Sequence, residues 1–346
     1  MPEIRAMKKN EAEQVRRLGK KTFEWFESLF IPKPKDCYVA LEDNKIIGAV
    51  LYKYLTIADK KIGYVDYIFV DKAFHGKGIG SKLVDHCLDT MKKEECDGYS
   101  AVVRDDNVGS WKMFINKNLK RVGLNDLIRQ FGVLGMLNLT FKTPFNFATG
   151  MDYYLKLEDN AISQSGEKSI FQIFKYLIFT ALLLLPLFIY GFKNAFYIIG
   201  AVVSILAIRL VFGYLGTLFS NENWYFRVCD GGYLIPFIAA LLGGIFFISG
   251  NWYPKVYRQQ KDFKRSLGLT ALTQLISLFL IVFLTRTLLS EFSFFKTMSS
   301  ISATFMIINV VPFYPLASFG GKRLFEWNKW LYAIVLLISI YIIFLY

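Results

Sequence analysis

The chain has 346 residues, with 41 Lys+Arg, 28 Asp+Glu, 2 His and 4 Cys, a formal net charge of +13 and 54% hydrophobic residues. Those totals exclude a disordered chain and a disulfide scaffold. They also hide a division. Residues 1–168 hold 27 Lys+Arg and 23 Asp+Glu, whereas residues 169–346 hold 14 and 5 in a far more apolar stretch. Runs such as Ala195–Ile208 and Leu331–Tyr346, with their flanks, are long enough to cross a bilayer, which excludes an entirely soluble protein. Cys37, Cys87, Cys96 and Cys229 show no metal-ligand spacing, and reduced thiols are expected in a cytosolic domain. The N-terminus, MPEIRAMKKN, has no apolar core, so no signal peptide is expected. Nucleic acid is not expected as a partner, because the apolar half carries most of the basic excess.

In the first half, strand-like runs alternate with helix-like ones. Glu11–Phe26 reads as a helix, and Cys37–Leu41 and Ile46–Tyr54 as strands around the polar turn Glu42–Lys45. Tyr64–Val70 is an apolar, β-branched and aromatic strand. HGKGIG (His75–Gly80) follows it, and then Ser81–Met91 with helical period. Tyr99–Val103 is a further strand, Val108–Asn116 a helix with Asn107 as its N-cap, and Met151–Leu157 a closing strand. Strand, glycine turn and helix make a phosphate cradle. Gly76, Gly78 and Gly80 have access to backbone angles closed to other residues, so amide N–H groups can face an anion. The positive end of the helix dipole adds to that attraction, as do Lys77 and Lys82. A tight turn without a ligand would use the same glycines.

Residues 3–157 resemble the GNAT family of acetyl-CoA-dependent N-acetyltransferases. The family's phosphate loop, Q/R-x-x-G-x-G/A, stands here as His75-Gly76-Lys77-Gly78-Ile79-Gly80, with His75 in the place of Gln or Arg. VDYIFVDKAF fits its central strand, and Asn107–Phe114 fits its N-x-x-A-x-x-L-Y helix. The resemblance implies an α/β domain with a mixed central sheet and flanking helices, acetyl-CoA as cosubstrate and no metal. It implies that the main chain of Ile68, Phe69 and Val70 binds the pantetheine arm. The amides of His75, Gly76, Lys77, Gly78, Ile79, Gly80 and Ser81 would take the pyrophosphate, and Asn107, Ser110 and Phe114 would lie near the thioester.

Attack of a neutral amine on a thioester needs a route for the ammonium proton, donors for the carbonyl oxygen and an acid for the leaving thiolate. By the resemblance, Asp66 stands where some members carry a base acting through water. A partly solvated strand-end carboxylate is the other reading. The family's frequent tyrosine acid aligns with Phe114, which has no proton to give. Either another hydroxyl serves, with Tyr67 the candidate, or the thiolate leaves unassisted, or the domain binds acetyl-CoA without efficient catalysis. His86, on the helix after the loop, reads as a surface or packing residue. The stretch between Leu124 and Gly150 is rich in Phe, Leu and Gly. It reads either as two closing strands with a long hydrophobic hairpin, or as a surface that docks on the bilayer or on the membrane half.

Domains are expected at 1–158 (acetyl-CoA-binding), 159–168 (linker) and 169–346 (an all-α polytopic membrane domain). Apolar spans fall at Tyr176–Phe192, Ala195–Phe219, Gly231–Gly250, Leu267–Thr285, Thr297–Leu316 and Lys329–Tyr346. Acetyl-CoA is cytosolic, which sets the N-terminal domain there. If all six stretches cross, Lys193, Lys255, Arg258, Lys261, Lys264, Arg265, Lys322, Arg323 and Lys329 lie outside, against the positive-inside rule. A re-entrant Gly231–Gly250, bent at its glycines and Pro236, leaves only Lys193, Arg286 and Lys296 outside. Five crossings and one re-entrant segment are therefore expected in a multi-pass cell-membrane protein.

From about Ala195 onward the chain resembles the site-2 protease (M50) family. Asn309-Val310-Val311-Pro312-Phe313-Tyr314-Pro315-Leu316 looks like its N-x-x-P-x-x-P-L-D-G motif, continued by Gly321–Lys329. Arg265–Gly268 fits the approach to its G-P-x-x-N helix, although Leu269 and Leu272 replace the Pro and Asn. The H-E-x-x-H slot falls on Arg209-Leu210-Val211-Phe212-Gly213, the third ligand is replaced within Ala317–Phe319, and no histidine follows residue 86. A zinc peptidase cannot work without these groups, so the resemblance implies a pseudoprotease. An Arg within a span costs roughly 2.5–3.5 kcal/mol on insertion scales unless it is paired or snorkels. Arg209 is either a structural, bundle-facing or snorkelling residue, or a cation in the vacated metal position that meets an anionic group, with Gln274 and Asn309 beside it. The combined expectation is a membrane-tethered N-acetyltransferase whose partners are acetyl-CoA, the lipid bilayer and a protein or small amine acceptor near it. The alternative is a non-catalytic acetyl-CoA-sensing scaffold that binds transmembrane partners.

Overall fold

A seven-stranded sheet organises the N-terminal half, in the order β1-β2-β3-β4-β5-β7-β6. Its strands are β1 (Glu3–Ala6), β2 (Asp36–Glu42), β3 (Lys45–Ile57), β4 (Lys60–Val70), β5 (Gly98–Arg104), β6 (Lys120–Val122) and β7 (Met151–Leu157). The computed structural model describes residues 2–105, 107–143, 150–158, 168–189, 194–255, 261–313 and 316–344. Most of the expected linker, and Tyr314 and Pro315 of the proline motif, lie outside the described residues. The chain divides into two compact units: residues 1–146 with 151–165, and residues 147–150 with 166–346.

In the first unit β1 to β4 run antiparallel, β4 and β5 are parallel, and β7 pairs antiparallel with β5 and β6. A parallel pair needs a crossover, and α3 (Ile79–Lys93) supplies it. Ile79, Leu83, Val84, Cys87 and Met91, its buried stripe, pack with Val50, Val65, Ala101 and Val103. The opposite face of the sheet is covered by α1 (Ala12–Thr22), whose Val15 meets Val39, Leu51 and Phe69. The short α2 (Trp25–Ser28) follows α1, and α4 (Val108–Asn116) begins at its Asn107 cap. This is the mixed sheet with flanking helices that the sequence predicts.

Of the two readings of the stretch from Leu124 to Gly150, the strand hairpin does not hold over Leu124–Lys142, and residues 144–149 lie outside the described residues. Leu124–Lys142 is a helix, α5, kinked where Gly132 takes φ +68°. Leu127, Phe131, Met136 and Leu139 pack on Leu55, Ile57, Tyr64 and Tyr153. The helical spacing of these apolar residues wins over the family-like expectation of strands, and Gly132 masks it by dividing the period in two.

The second unit is helical: α6 (Ser169–Leu183), α7 (Ala195–Thr217), α8 (Leu234–Leu241), α9 (Lys261–Thr287), α10 (Ser293–Val310), α11 (Gly321–Trp327) and α12 (Lys329–Phe344). It is not all-α, however. β8 (Trp224–Val228) and β9 (Gly250–Pro254) form an antiparallel pair, built from the aromatic and β-branched side chains of WYFRV and NWYP. Three helical segments among the described residues are long and apolar enough to cross a membrane: Ser169–Phe188, Ala195–Thr217 and Phe263–Thr287. The expected Gly231–Gly250 stretch holds only the eight-residue α8, about 12 Å long, which is too short to span. Gly216 lets α7 approach α9 closely, since a Cβ there would lie 2.5 Å from Thr273 Oγ1.

Arg209 is buried in this unit, at 1% exposure. Its Nη2 donates to Asn309 Oδ1 and to the Phe319 carbonyl, both at 2.7 Å. Nη1 lies 3.5 Å from the Tyr176 hydroxyl, and the guanidinium sits 5.2 Å from the centre of the Phe305 ring. One side chain thereby ties α7 to α10, to α6 and to the turn before α11.

Candidate acetyl-CoA site

β4 and β5 pair only over Ile62↔Gly98 to Val65↔Ala101, although β4 continues to Val70 and β5 to Arg104. Beyond Val65 the two strands part. On its other edge β4 stays bonded to β3, but the register shifts: Tyr52 faces Val65, Leu51 faces Tyr67, and Asp66 is the extra residue of a bulge. A bulge raises local twist and re-aims side chains, and this one lies where β4 leaves β5. Ile68, Phe69 and Val70 bond to Val50, Ala49 and Gly48 on the β3 side, so the parted edge faces β5.

At the end of β4, Asp71 accepts from the Ala73 amide at 3.1 Å and closes a short 3-10 turn. His75 Nε2 meets the Val70 carbonyl at 2.8 Å, which ties the loop back to the strand. Gly76 and Gly78 take φ +78° and +73°, and a Cβ at either would meet no atom within 4 Å. The loop is open on its outer side, then, and the glycines serve backbone direction rather than close packing. Gly78 is the N-cap of α3 and supplies no side-chain cap, so the first amides of Ile79, Gly80 and Ser81 have no side-chain acceptor from that position. Lys77 lies over the Phe74 ring, 4.8 Å from its centre.

The space between the strands is a cleft lined by Asp66, Tyr67, Ile68, Val103, Asn107, Ser110 and Phe114 among others. Asn107 Oδ1 accepts from the Ser110 amide at 3.2 Å, so the two expected contacts at the head of α4 are joined. Phe114 is buried and stacked on Tyr154, ring centres 6.4 Å apart. The Tyr67 hydroxyl donates to the Phe30 carbonyl at 3.1 Å, a bond that must open before Tyr67 can act as an acid. Asp66 lies 3.4 Å from Lys53 Nζ. Burial raises its carboxyl pKa above the ordinary aspartate value, and Lys53 offsets part of that rise. The structure therefore brings Asp66, Tyr67, Asn107, Ser110 and Phe114 to one cleft, with Ile68 on its wall. The glycine loop sits at the end of the same strand.

Two charged residues of the cleft escape sequence reasoning. Glu27, on α2, is nearly buried and lies 3.1 Å from Arg104, which also reaches Glu24 at 3.6 Å. Phe23, Glu27 and Arg104 all line the cleft. The only signal was an i, i+3 pair of acids in an aromatic stretch, and Arg104 stands 77 residues from its partner.

The profile described as "Acetyltransferase (GNAT) family" matches residues 4–118. The chain is 27% identical over 89 residues to N-alpha-acetyltransferase 30 of Dictyostelium discoideum, covering 26% of this chain and 48% of that protein. It is 25% identical over 93 residues to N-alpha-acetyltransferase MAK3 of Arabidopsis thaliana, covering 27% and 47%. The chain thus spans about half the length of the curated relatives it matches. Among solved structures, it is similar to the ribosomal-protein-S18-alanine N-acetyltransferase of Escherichia coli, with 14% identity, 48% and 97% coverage and a TM-score of 0.33. It is also similar to the NatC complex bound to Gag peptide and CoA, with 16% identity, 44% and 95% coverage and a TM-score of 0.32. With the parted strands and the glycine loop in view, the N-terminal part of the chain carries a GNAT acetyltransferase domain.

Proposed function

We propose that this protein is a membrane-tethered N-acetyltransferase that moves an acetyl group from acetyl-CoA to an amine of a protein or of a small or lipid-linked acceptor. The observation that carries the reading is the parting of β4 from β5 beside a glycine bend and an uncapped helix start. The parted edge of β4 around Ile68, Phe69 and Val70 suits an extended amide-bearing arm. The amides from His75 to Ser81 suit a pyrophosphate. Asn107, Ser110 and Phe114 then lie near the thioester.

The acceptor nitrogen attacks the thioester carbonyl carbon, the C–S bond breaks, and the ammonium proton is lost. Asp66 receives that proton through water, and the thiolate leaves as CoA and takes up a proton. The relatives named as N-alpha-acetyltransferases support a protein N-terminus as acceptor. Isothermal titration of acetyl-CoA into the detergent-solubilised protein, followed by thiol release with a panel of amines, tests the reading. Binding without thiol release would favour the acetyl-CoA-sensing scaffold, which Phe114 supports because it has no proton to offer the thiolate.

Asp66→Asn is expected to lower kcat roughly 10²-fold or more while leaving acetyl-CoA binding unchanged. In the unsubstituted protein the acid limb of the rate profile lies above the ordinary aspartate pKa, and it disappears in the variant. The same shift has a stability sign. A carboxyl whose pKa is raised by folding holds its proton more tightly in the folded state. The folded protein therefore loses stability as pH climbs from the ordinary aspartate value through the raised one, and Asp66→Asn removes that loss. Phe114→Tyr restores a phenol at the cleft and is expected to raise turnover about tenfold. Unchanged turnover would mean that another acid already serves.

The membrane half is proposed as a multi-pass anchor of site-2 protease-like ancestry without proteolytic activity, its N-terminal partner domain cytosolic. The contacts of Arg209 support this: from the first position of the H-E-x-x-H slot it donates to the Phe319 carbonyl, in the segment where the third ligand is replaced, and to Asn309, which opens the proline motif. The short α8 supports a segment that enters without crossing.

A further inference from the structure

α5 carries large apolar residues both toward the core and outward. After the Gly132 kink, one face carries Met136 and Leu139 into the core. The other carries Val133, Leu134, Leu137 and Phe141, one continuous helical stripe, with Leu134 82% and Phe141 75% exposed. No acidic residue occurs from Leu127 to Lys142; Arg129 stands before the stripe, 3.8 Å from Asp126 in the first turn, and Lys142 ends it, donating to the Thr56 carbonyl at 2.8 Å. A stripe of this kind left in water is an aggregation hazard. A helix with large aliphatic and aromatic residues outward and a basic C-terminal end is suited to lie in a headgroup region.

We infer that the outer stripe of α5 lies on the bilayer that receives the chain's own apolar helices. The inference rests on the membrane reading proposed above. The choice of occupant follows from the tether. β7 ends at Leu157 and α6 begins at Ser169, so the connecting chain reaches at most about 40 Å. Once α6 is inserted, the bilayer surface is present at the α5 stripe at a permanently high effective concentration, whereas a second copy or another protein must be met by diffusion. The acidic surface of a membrane leaflet complements Lys142 at the end of the stripe, while Asp126 partly neutralises Arg129 and no acidic residue lies within the stripe itself. The stripe would fix the acetyltransferase unit to the surface plane, and its acceptors would then be amines presented at that plane.

All four native cysteines are buried, so an introduced surface cysteine takes a nitroxide label selectively. Leu134→Cys and Phe141→Cys, each in the full chain in nanodiscs of phosphatidylcholine and phosphatidylglycerol, are compared with Phe196→Cys on α7 and Asp89→Cys on α3. Phe196 is 78% exposed in an apolar helix, and Asp89 is exposed on a polar face. Collision with oxygen is measured against collision with a water-soluble nickel complex. At 134 and 141, as at 196, oxygen access is expected to exceed nickel access several-fold, with the order reversed at 89. Nickel access at 134 and 141 equal to that at 89, with 196 in lipid, overturns the docking and leaves the membrane reading intact. Low access to both reagents at 134 and 141 means a protein cover, a second copy or another chain, and also overturns it. Nickel access at 196 overturns the membrane reading and the docking together.

Discussion

Gly78→Val is expected to weaken acetyl-CoA binding by about thirtyfold or more, roughly 2 kcal/mol. Two effects add. Gly78 holds φ +73°, where an L residue with a branched Cβ is strained by about 1–2 kcal/mol. A Cβ there also projects into the open space in front of the loop, where no protein atom lies within 4 Å and a pyrophosphate would approach. Gly78→Asn separates the two, because Asn tolerates the left-handed region while still placing a side chain in front of the amides. Binding that recovers fully in the Asn variant assigns the loss to strain. Binding that stays weak assigns it to the blocked cradle. An unchanged dissociation constant for Gly78→Val would remove the glycine bend from the cofactor site altogether.

Arg209→Ala is expected to destabilise the second unit by roughly 3–5 kcal/mol, since two buried neutral acceptors lose their donor at about 1–3 kcal/mol each and a cavity is left. At about 2–4 °C per kcal/mol for a unit of this size, the melting temperature falls by roughly 6–20 °C. The change leaves Asn309 Oδ1 and the Phe319 carbonyl without their donor and opens a hole beside Phe305. Thermal unfolding in detergent, followed by circular dichroism, measures it. Arg209→Met fills the hole without the bonds, so recovery of half the loss or more would assign the effect to packing rather than to the guanidinium. A melting temperature unchanged in Arg209→Ala would mean that the guanidinium does not brace the helices.

Five of the seven sheet strands were legible because each carries its own local signal, whereas β1 and β6, four and three residues long, are too short to show one. Val108–Asn116 and Met151–Leu157 occur at the predicted limits, the first because Asn107 caps it. The bulge at Asp66 was invisible, since nothing in VDYIF distinguishes a strand with one residue too many. The extra residue appears only when β4 is laid against β3. α5 was missed for a different reason: with large apolar residues both toward the core and outward, it lacks the polar alternation that marks a surface helix, and Gly132 interrupts its period. The Glu27–Arg104 pair could not be found from sequence, because pairing over so long a separation is decided by how the sheet is assembled.

The parted strands have one more consequence. The groups that β4 turns toward the slot are peptide N–H and C=O, identical whatever side chains the strand carries. On the proposed reading, exchanges of the side chains of Ile68, Phe69 and Val70 for other non-proline residues leave the peptide groups offered to the donor substrate in place. Glu27 and Arg104, which also line the cleft, present their charge through side chains, and an exchange at either alters the cleft's polarity. If the proposed activity holds, a lineage built on this sheet is free to change the amine it modifies while the thioester it draws on stays the same.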